Sequence, residues 1–329
     1  MSCAGPTARK DAAGLLAALE RHRLPQRATP PPRPRGRAAP ITKADVQQLP
    51  RSLTVIEPPS LAGVRPLAAL RRLAGHADLL RALTIHRVKV RYTQSRLGIL
   101  WALLQPLAMM AVFTLVVSLL GAREAAGVPY PLFAYAGLLP WTYFSTGASN
   151  AATALTGHAS LLTKVYFPRE ILPLSYVGAA LVDALVASLA LAALLAAFDV
   201  APTPHALWAL PIAALLTLFV TAVALALSAL HVRVRDVGLA MPLVLQVWLF
   251  ASPVLYPLDL ARAHLSRPLY VLCLLNPMAG YVDGFRRAVA LGAPPDPAAL
   301  AIAAAVTLLA LAAAYMWFKH AERTMADVV

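Results

Sequence analysis

Residues 98–120 contain no Asp, Glu, Lys or Arg. As a helix, such a run is about 34 Å long at 1.5 Å per residue, enough to cross the roughly 30 Å hydrocarbon core of a bilayer. Five more stretches share this character: 129–149, 171–198, 206–230, 237–256 and 298–318, with Asp183 as the charge inside them. In lipid, only helices and closed barrels satisfy their own backbone groups. Runs this long without polar–apolar alternation exclude a barrel. The sequence therefore predicts an all-α integral membrane protein with six transmembrane helices. Composition agrees, since 59% of residues are hydrophobic and 13% charged, about half the charged share of a soluble domain. An ordinary soluble enzyme is excluded.

The net charge of +14 would suit a nucleic-acid partner if it were spread over a surface. It is not. Residues 1–97 hold 18 Lys/Arg against 5 Asp/Glu, while 98–329 hold 11 against 10. The excess precedes the first span, as the positive-inside rule requires of a cytoplasmic N-terminus. With the N-terminus inside, inner segments carry 24 basic residues and outer ones 5. Both termini are expected in the cytoplasm, and no nucleic acid is expected as a partner.

The outer segment between the fifth and sixth spans is long. It holds two apolar pieces, 268–278 and 279–291, broken at Asn276-Pro277. Pieces of 10–14 residues read as re-entrant rather than spanning. A seventh span would also move Lys319 and Arg323 outside, against the charge bias. An outer re-entrant hairpin is expected here.

Three parts follow. Residues 1–60 form a basic, proline-rich tail, expected to be disordered and solvated because it offers little to bury. Residues 61–97 carry an amphipathic pattern, with Leu67, Leu70, Leu73, Ala77, Leu80 and Thr84 recurring every three or four positions. That pattern predicts an interfacial helix over 64–85, followed by a basic collar, His86 to Tyr92, that would anchor to anionic lipid heads. Residues 98–329 form the six-helix domain. Cys3 and Cys273 cannot build a disulfide framework or a zinc site, and the short apolar cluster at 15–19 does not resemble a secretory signal.

Chemistry-bearing motifs are missing. There is no Walker A loop, no G-x-S-x-G elbow and no H-E-x-x-H. The eight histidines never fall within four residues of one another, which argues against a metal site. No catalytic, cofactor-binding or metal-binding residue is expected. The chain is left with movement or binding, and any driving energy must come from an ion gradient or another polypeptide. Asp183 lies about 18 Å along its helix from the inner end, near the midplane. An acid there costs roughly 2.5–3.5 kcal/mol on insertion scales. An interhelix tie, a water-filled pathway or protonation would each offset that cost.

Ordered segments carry a family resemblance. Arg87-Val88-Lys89-Val90-Arg91-Tyr92 is followed by Leu97-Gly98-Ile99-Leu100-Trp101-Ala102 and Leu104-Gln105-Pro106. Next come Pro129-Tyr130-Pro131-Leu132-Phe133, Tyr135-Ala136-Gly137-Leu138-Leu139-Pro140-Trp141 and Lys164-Val165-Tyr166-Phe167-Pro168-Arg169. Val232-Arg233-Val234-Arg235-Asp236, Ser252-Pro253-Val254-Leu255-Tyr256-Pro257 and Asn276-Pro277-Met278 complete the series. Residues 64–329 thus resemble the type-2 export permeases of ATP-binding-cassette transporters, within them the exporters of O-antigen, capsule or teichoic acid chains. The tail 1–60 is longer than that pattern.

The resemblance implies a homodimer with two copies of a separate cytoplasmic ATPase, which would supply the ATP and magnesium site. It also implies a lipid-linked glycan as cargo, on undecaprenyl pyrophosphate, in the bacterial inner membrane. It makes the inner loop a coupling element, with Leu161, Leu162, Lys164, Tyr166, Phe167, Pro168 and Arg169 facing the ATPase. That loop is also too apolar for a free cytoplasmic segment, so it either meets a partner or packs against the protein's own inner helix ends. Trp141, Tyr143 and Phe144, read as the inner end of the second span, with Trp248, Phe250, Tyr256 and Asp183, are candidates for a channel lining. Aromatic rings offer sugars flat apolar faces, though interfacial belts use the same residues. Arg286 and Arg287 on the outer hairpin are candidates for a lipid phosphate, or else are solvated helix charges. Permeases for drugs or small lipids share this pattern. A membrane enzyme acting on lipid-linked sugars is disfavoured by the scarcity of outward carboxylates.

Overall fold

The computed structural model describes residues 74–93, 95–121, 123–158 and 167–328, with side chains through Glu322. The tail and the first part of the expected interfacial helix lie outside the described residues. Helix α1 spans Ala77–Thr93. It continues eight residues past the expected end, so the amphipathic segment and the basic collar are one helix. A 3-10 turn leads into α2, Trp101–Leu119. A two-residue hairpin, Glu124–Ala125 against Val128–Pro129, turns the chain between α2 and the next helix. Its turn residues Ala126 and Gly127 have φ of 53° and 83°, the doubly positive pattern of a tight hairpin turn.

Helices α3, Tyr130–Ala152, α4, Ile171–Ala197, and α5, Ala209–Arg233, follow. Then come α6, Asp236–Ala251, α7, Leu258–His264, α8, Arg267–Leu275, α9, Pro277–Val289, and α10, Pro297–Val328. The break between α8 and α9 falls at Asn276, where the dipeptide Asn-Pro predicts it. Proline at the first helical position lacks the amide that would go unpaired there, and the Asn276 side chain accepts from the Met278 amide.

Four helical segments among the described residues are long and apolar enough to cross a membrane: Gly98–Leu119, Ile171–Ala197, Pro204–Arg233 and Pro297–Glu322. The protein is an all-α membrane protein. The other two expected spans each depart in one respect. Helix α6 is apolar but has only 16 residues. Helix α3 has 23 residues, of which 17 are buried. It packs against α2, α4, α5, α6 and α9, so it meets protein rather than lipid. That enclosure allows it to carry Thr142, Ser145, Thr146, Ser149 and Asn150, which lower its hydropathy. By contrast α2 is almost bare, with Val112, Leu115, Val116 and Leu119 exposed, as a lipid-facing helix requires. Helix α10 closes the bundle against α5 and α9.

Candidate functional site

The polar residues of α3 share one face. Thr142, Ser145, Thr146, Ser149 and Asn150 recur at helical spacing and line a cavity of about 620 Å³ with Gln105 and Trp101 of α2. The Thr142 hydroxyl donates to the Leu139 carbonyl at 3.0 Å, and Ser145 to the Thr142 carbonyl at 3.3 Å. Each proton is thus spent on the helix itself, which leaves oxygen lone pairs to accept from a ligand in the cavity. Arg91, Tyr92 and Ser95 close one wall and Asp183 another.

Asp183 therefore has both a partner and a cavity. Arg91 ion-pairs with it, and the Tyr92 hydroxyl donates to its other oxygen at 2.8 Å. One turn earlier, Arg87 Nε donates to the Ser175 hydroxyl at 2.7 Å. Its guanidinium carbon lies 3.6 Å from the centroid of the Tyr176 ring. The collar was expected to face lipid heads, but Arg87 and Arg91 turn inward onto α4. Close approach of the two helices permits this: a Cβ on Gly178 would stand 2.9 Å from the Thr84 hydroxyl. The sequence signal for the pairing was the lone intramembrane acid beside a run of cations that topology alone seemed to explain.

The aromatic candidates separate into three places. Trp141 and Phe144 sit in mid-helix rather than at an inner end, because α3 runs on to Ala152. They pack with Phe219 and Trp248, the Phe144 and Trp248 rings meeting edge-on at 4.9 Å. Phe144 is fully buried in that cluster. Tyr143 borders the polar cavity, and its hydroxyl donates away, to Thr217 on α5 at 3.1 Å. Phe250 is exposed near the C-terminal end of α6. Tyr256 borders a second groove, of about 300 Å³, with Leu260 and His264.

Arg286 corrects an expectation. It does not reach for a phosphate, being 1% exposed. Its guanidinium donates to the carbonyls of Phe133, Pro253, Val254 and Tyr256 and lies 3.8 Å over the Phe133 ring. Three of those carbonyls lie where the chain turns after α6 and the fourth, Phe133, is on α3, so a buried cation with five donors ties the turn to that helix. Gly137 makes room, since a Cβ there would meet the guanidinium and stand 2.5 Å from the Val254 carbonyl oxygen. Arg287 is partly exposed and lies 3.7 Å from Asp283.

Asn276 completes this knot. It accepts from Trp248 Nε1 and the Met278 amide, both at 3.1 Å, and donates to the Ser252 hydroxyl at 2.8 Å. Three of the sequence motifs, around Gly137, Ser252 and Asn276, thus converge on one assembly that position in the chain did not reveal. Replacing Asn276 with Leu strips all three bonds and should cost roughly 1–3 kcal/mol for each group left unpaired. The measurement is permease abundance in the membrane after thermal challenge; wild-type survival would remove Asn276 from the knot.

Leu161, Leu162, Lys164 and Tyr166 lie outside the described residues. Phe167 packs against a cluster that includes Leu155 and Phe318, Pro168 is half-buried, and Arg169 donates to the Glu322 carbonyl at 2.9 Å. His158 contacts Arg87 at 3.3 Å. Burial, then the Arg87 charge, pushes its imidazole below the usual histidine range.

Residues 78–289 match the family of ABC-2 type transporters. The chain is 32% identical over 261 residues to the O-antigen export system permease protein RfbA of Myxococcus xanthus, covering 79% of this chain and 98% of that protein. It is 28% identical over 210 residues to a protein of the same name from Klebsiella pneumoniae, covering 64% of this chain and 79% of that one. A helical membrane bundle, a half-open cavity with a polar wall and a family match over most of its described length lead to one assignment: the chain belongs to the ABC-2 type transporter family.

Proposed function

We propose that this chain is the membrane permease of an ATP-driven exporter of lipid-linked polysaccharide such as O-antigen. Two copies form the conduit, and two copies of a separate cytoplasmic ATPase drive it. The cavity along α3 carries this reading: hydroxyl and amide groups suit a glycan, and Trp101 at its edge offers a ring face to a sugar. A permease for small apolar drugs would be better served by an apolar pocket. The printed names of the relatives support the same cargo. The exposed stripe of α6, Leu239, Leu243, Val247 and Phe250, supports pairing of two copies, because a helix this short gains from protein on both sides.

In the proposed topology six helices cross the inner membrane, with both termini cytoplasmic, and α8 and α9 form an outer re-entrant hairpin. Their 9 and 13 residues give lengths of about 14 and 20 Å, each short of a roughly 30 Å core. Cysteines introduced at 265 and 293 should both label from outside; labelling from opposite sides would make the hairpin a seventh span.

Nucleotide binding and hydrolysis belong to the partner ATPase, reached through the loop of Leu161 to Arg169. Vesicles holding the permease and its ATPase should move undecaprenyl-linked glycan only with ATP. Glycan movement by the permease alone, or ATP hydrolysis by it, would overturn the reading. Tyr166→Asp with Phe167→Asp should abolish surface glycan while leaving membrane insertion intact, and normal display in that variant would remove the loop from the mechanism.

A further inference from the structure

Three charges at the inner end of the bundle play no part in lining the cavity. Lys319, near the inner end of α10, ion-pairs with Glu170, the residue before α4, and with Glu322 at 2.8 Å. The Lys319 and Glu170 side chains are only 10% and 5% exposed. Arg169 adds a hydrogen bond to the Glu322 carbonyl. Around these polar contacts Phe167 and Leu172 join Phe318 and Ala321 in one apolar cluster. Residues 167–172 therefore clasp little more than one turn of the last helix, 318–322. On the other side of the inner loop, Leu155 belongs to the same cluster, and His158 is held to Arg87 of α1.

A buried ion pair is a poor way to gain stability, because desolvation cancels most of the attraction and apolar residues of equal size often do as well. Its distinctive property is direction. The Lys319–Glu170 pair spans the two helices and fixes their register at one point, while Glu322, three residues along the same helix, holds the ammonium in place. The clasp also sits where force from a cytoplasmic motor would enter α4.

We propose that Glu170, Lys319 and Glu322 form a rigid joint that makes the inner end of α4 and the last helix move as one body during transport. They are positioning residues and touch no cargo. The inference rests on the exporter reading, and its test separates the two. Lys319→Met alone strands a buried carboxylate and can fail to fold, so the informative variant is Glu170→Gln with Lys319→Met, which removes both charges. Lys319→Arg serves as the conservative control. Each is placed in the full permease–ATPase complex in vesicles, and permease abundance, ATP hydrolysis and glycan moved per ATP are measured.

The neutral double variant should keep wild-type abundance and hydrolysis, while glycan moved per ATP falls roughly tenfold, within the range seen for residues that carry coupling between sites. Lys319→Arg should restore most of it. An unchanged ratio in the double variant overturns the joint, as does a loss of export that only follows abundance. If the wild-type complex itself moves no glycan, the exporter reading fails instead.

Discussion

Replacing Arg286 with Met should all but remove the permease from the membrane. The side chain satisfies four carbonyls from two separated stretches of chain, Phe133 on α3 and the 253–256 turn. Met fills similar volume but donates nothing, so the carbonyls are left buried and unpaired. A buried acceptor left without its donor costs roughly 1–3 kcal/mol, so losing the donor to several at once removes a large part of the roughly 5–15 kcal/mol that holds an ordinary domain together. Gly137→Ala should do comparable damage from the opposite side, because its Cβ would press on Val254 backbone and not only on a flexible side chain. Adding Gly137→Ala to Arg286→Met should then cost little more, since both act on one network. Arg287→Met, one residue along and partly exposed, takes the ion pair from Asp283 but leaves all four carbonyls their donor, so it should lower abundance less than Arg286→Met. Membrane abundance by immunoblot decides the matter. Wild-type levels of the Arg286→Met protein would mean the turn is held by something other than this cation.

That contrast between neighbouring arginines shows what the sequence made legible. Helix existence and order were readable, because hydrophobic run length is a local property, and the break at Asn276-Pro277 followed from proline's missing amide. Which cation is buried was not. Arg286 and Arg287 are adjacent in one helix, and only the carbonyls brought from α3 and the 253–256 turn distinguish them. The same holds for α3. Its Thr, Ser and Asn residues make it a weak span by composition, yet they mark its cavity face once neighbours cover the rest. Glu170 and Lys319 escaped notice because each stands at the end of an apolar run, where charges are expected for topology alone. Their pairing joins parts of the chain about 150 positions apart. Asp183 was recognised as needing compensation, but its partner lay in a segment already accounted for by lipid anchoring.

The second large effect is expected at that acid. Arg91→Leu removes the ion pair and leaves Asp183 inside the bundle with the Tyr92 hydroxyl. Arg91 is 30% exposed and borders a cavity, so solvent softens the penalty to about 1–3 kcal/mol, below that of a fully enclosed pair. Asp183→Leu should harm less, since the arginine head can turn toward the cavity along its flexible stem. The double replacement, Arg91→Leu with Asp183→Leu, should be more abundant than Arg91→Leu alone, because no charge is stranded. Export measured beside abundance then separates the roles open to Asp183. If the pair is a tie between α1 and α4, export tracks abundance through all three variants, and the double recovers both. If the carboxylate carries protons, every variant lacking it loses export, whatever stands at 91. Recovery of abundance without recovery of export in the double variant would therefore exclude the tie and move Asp183 into the transport step itself.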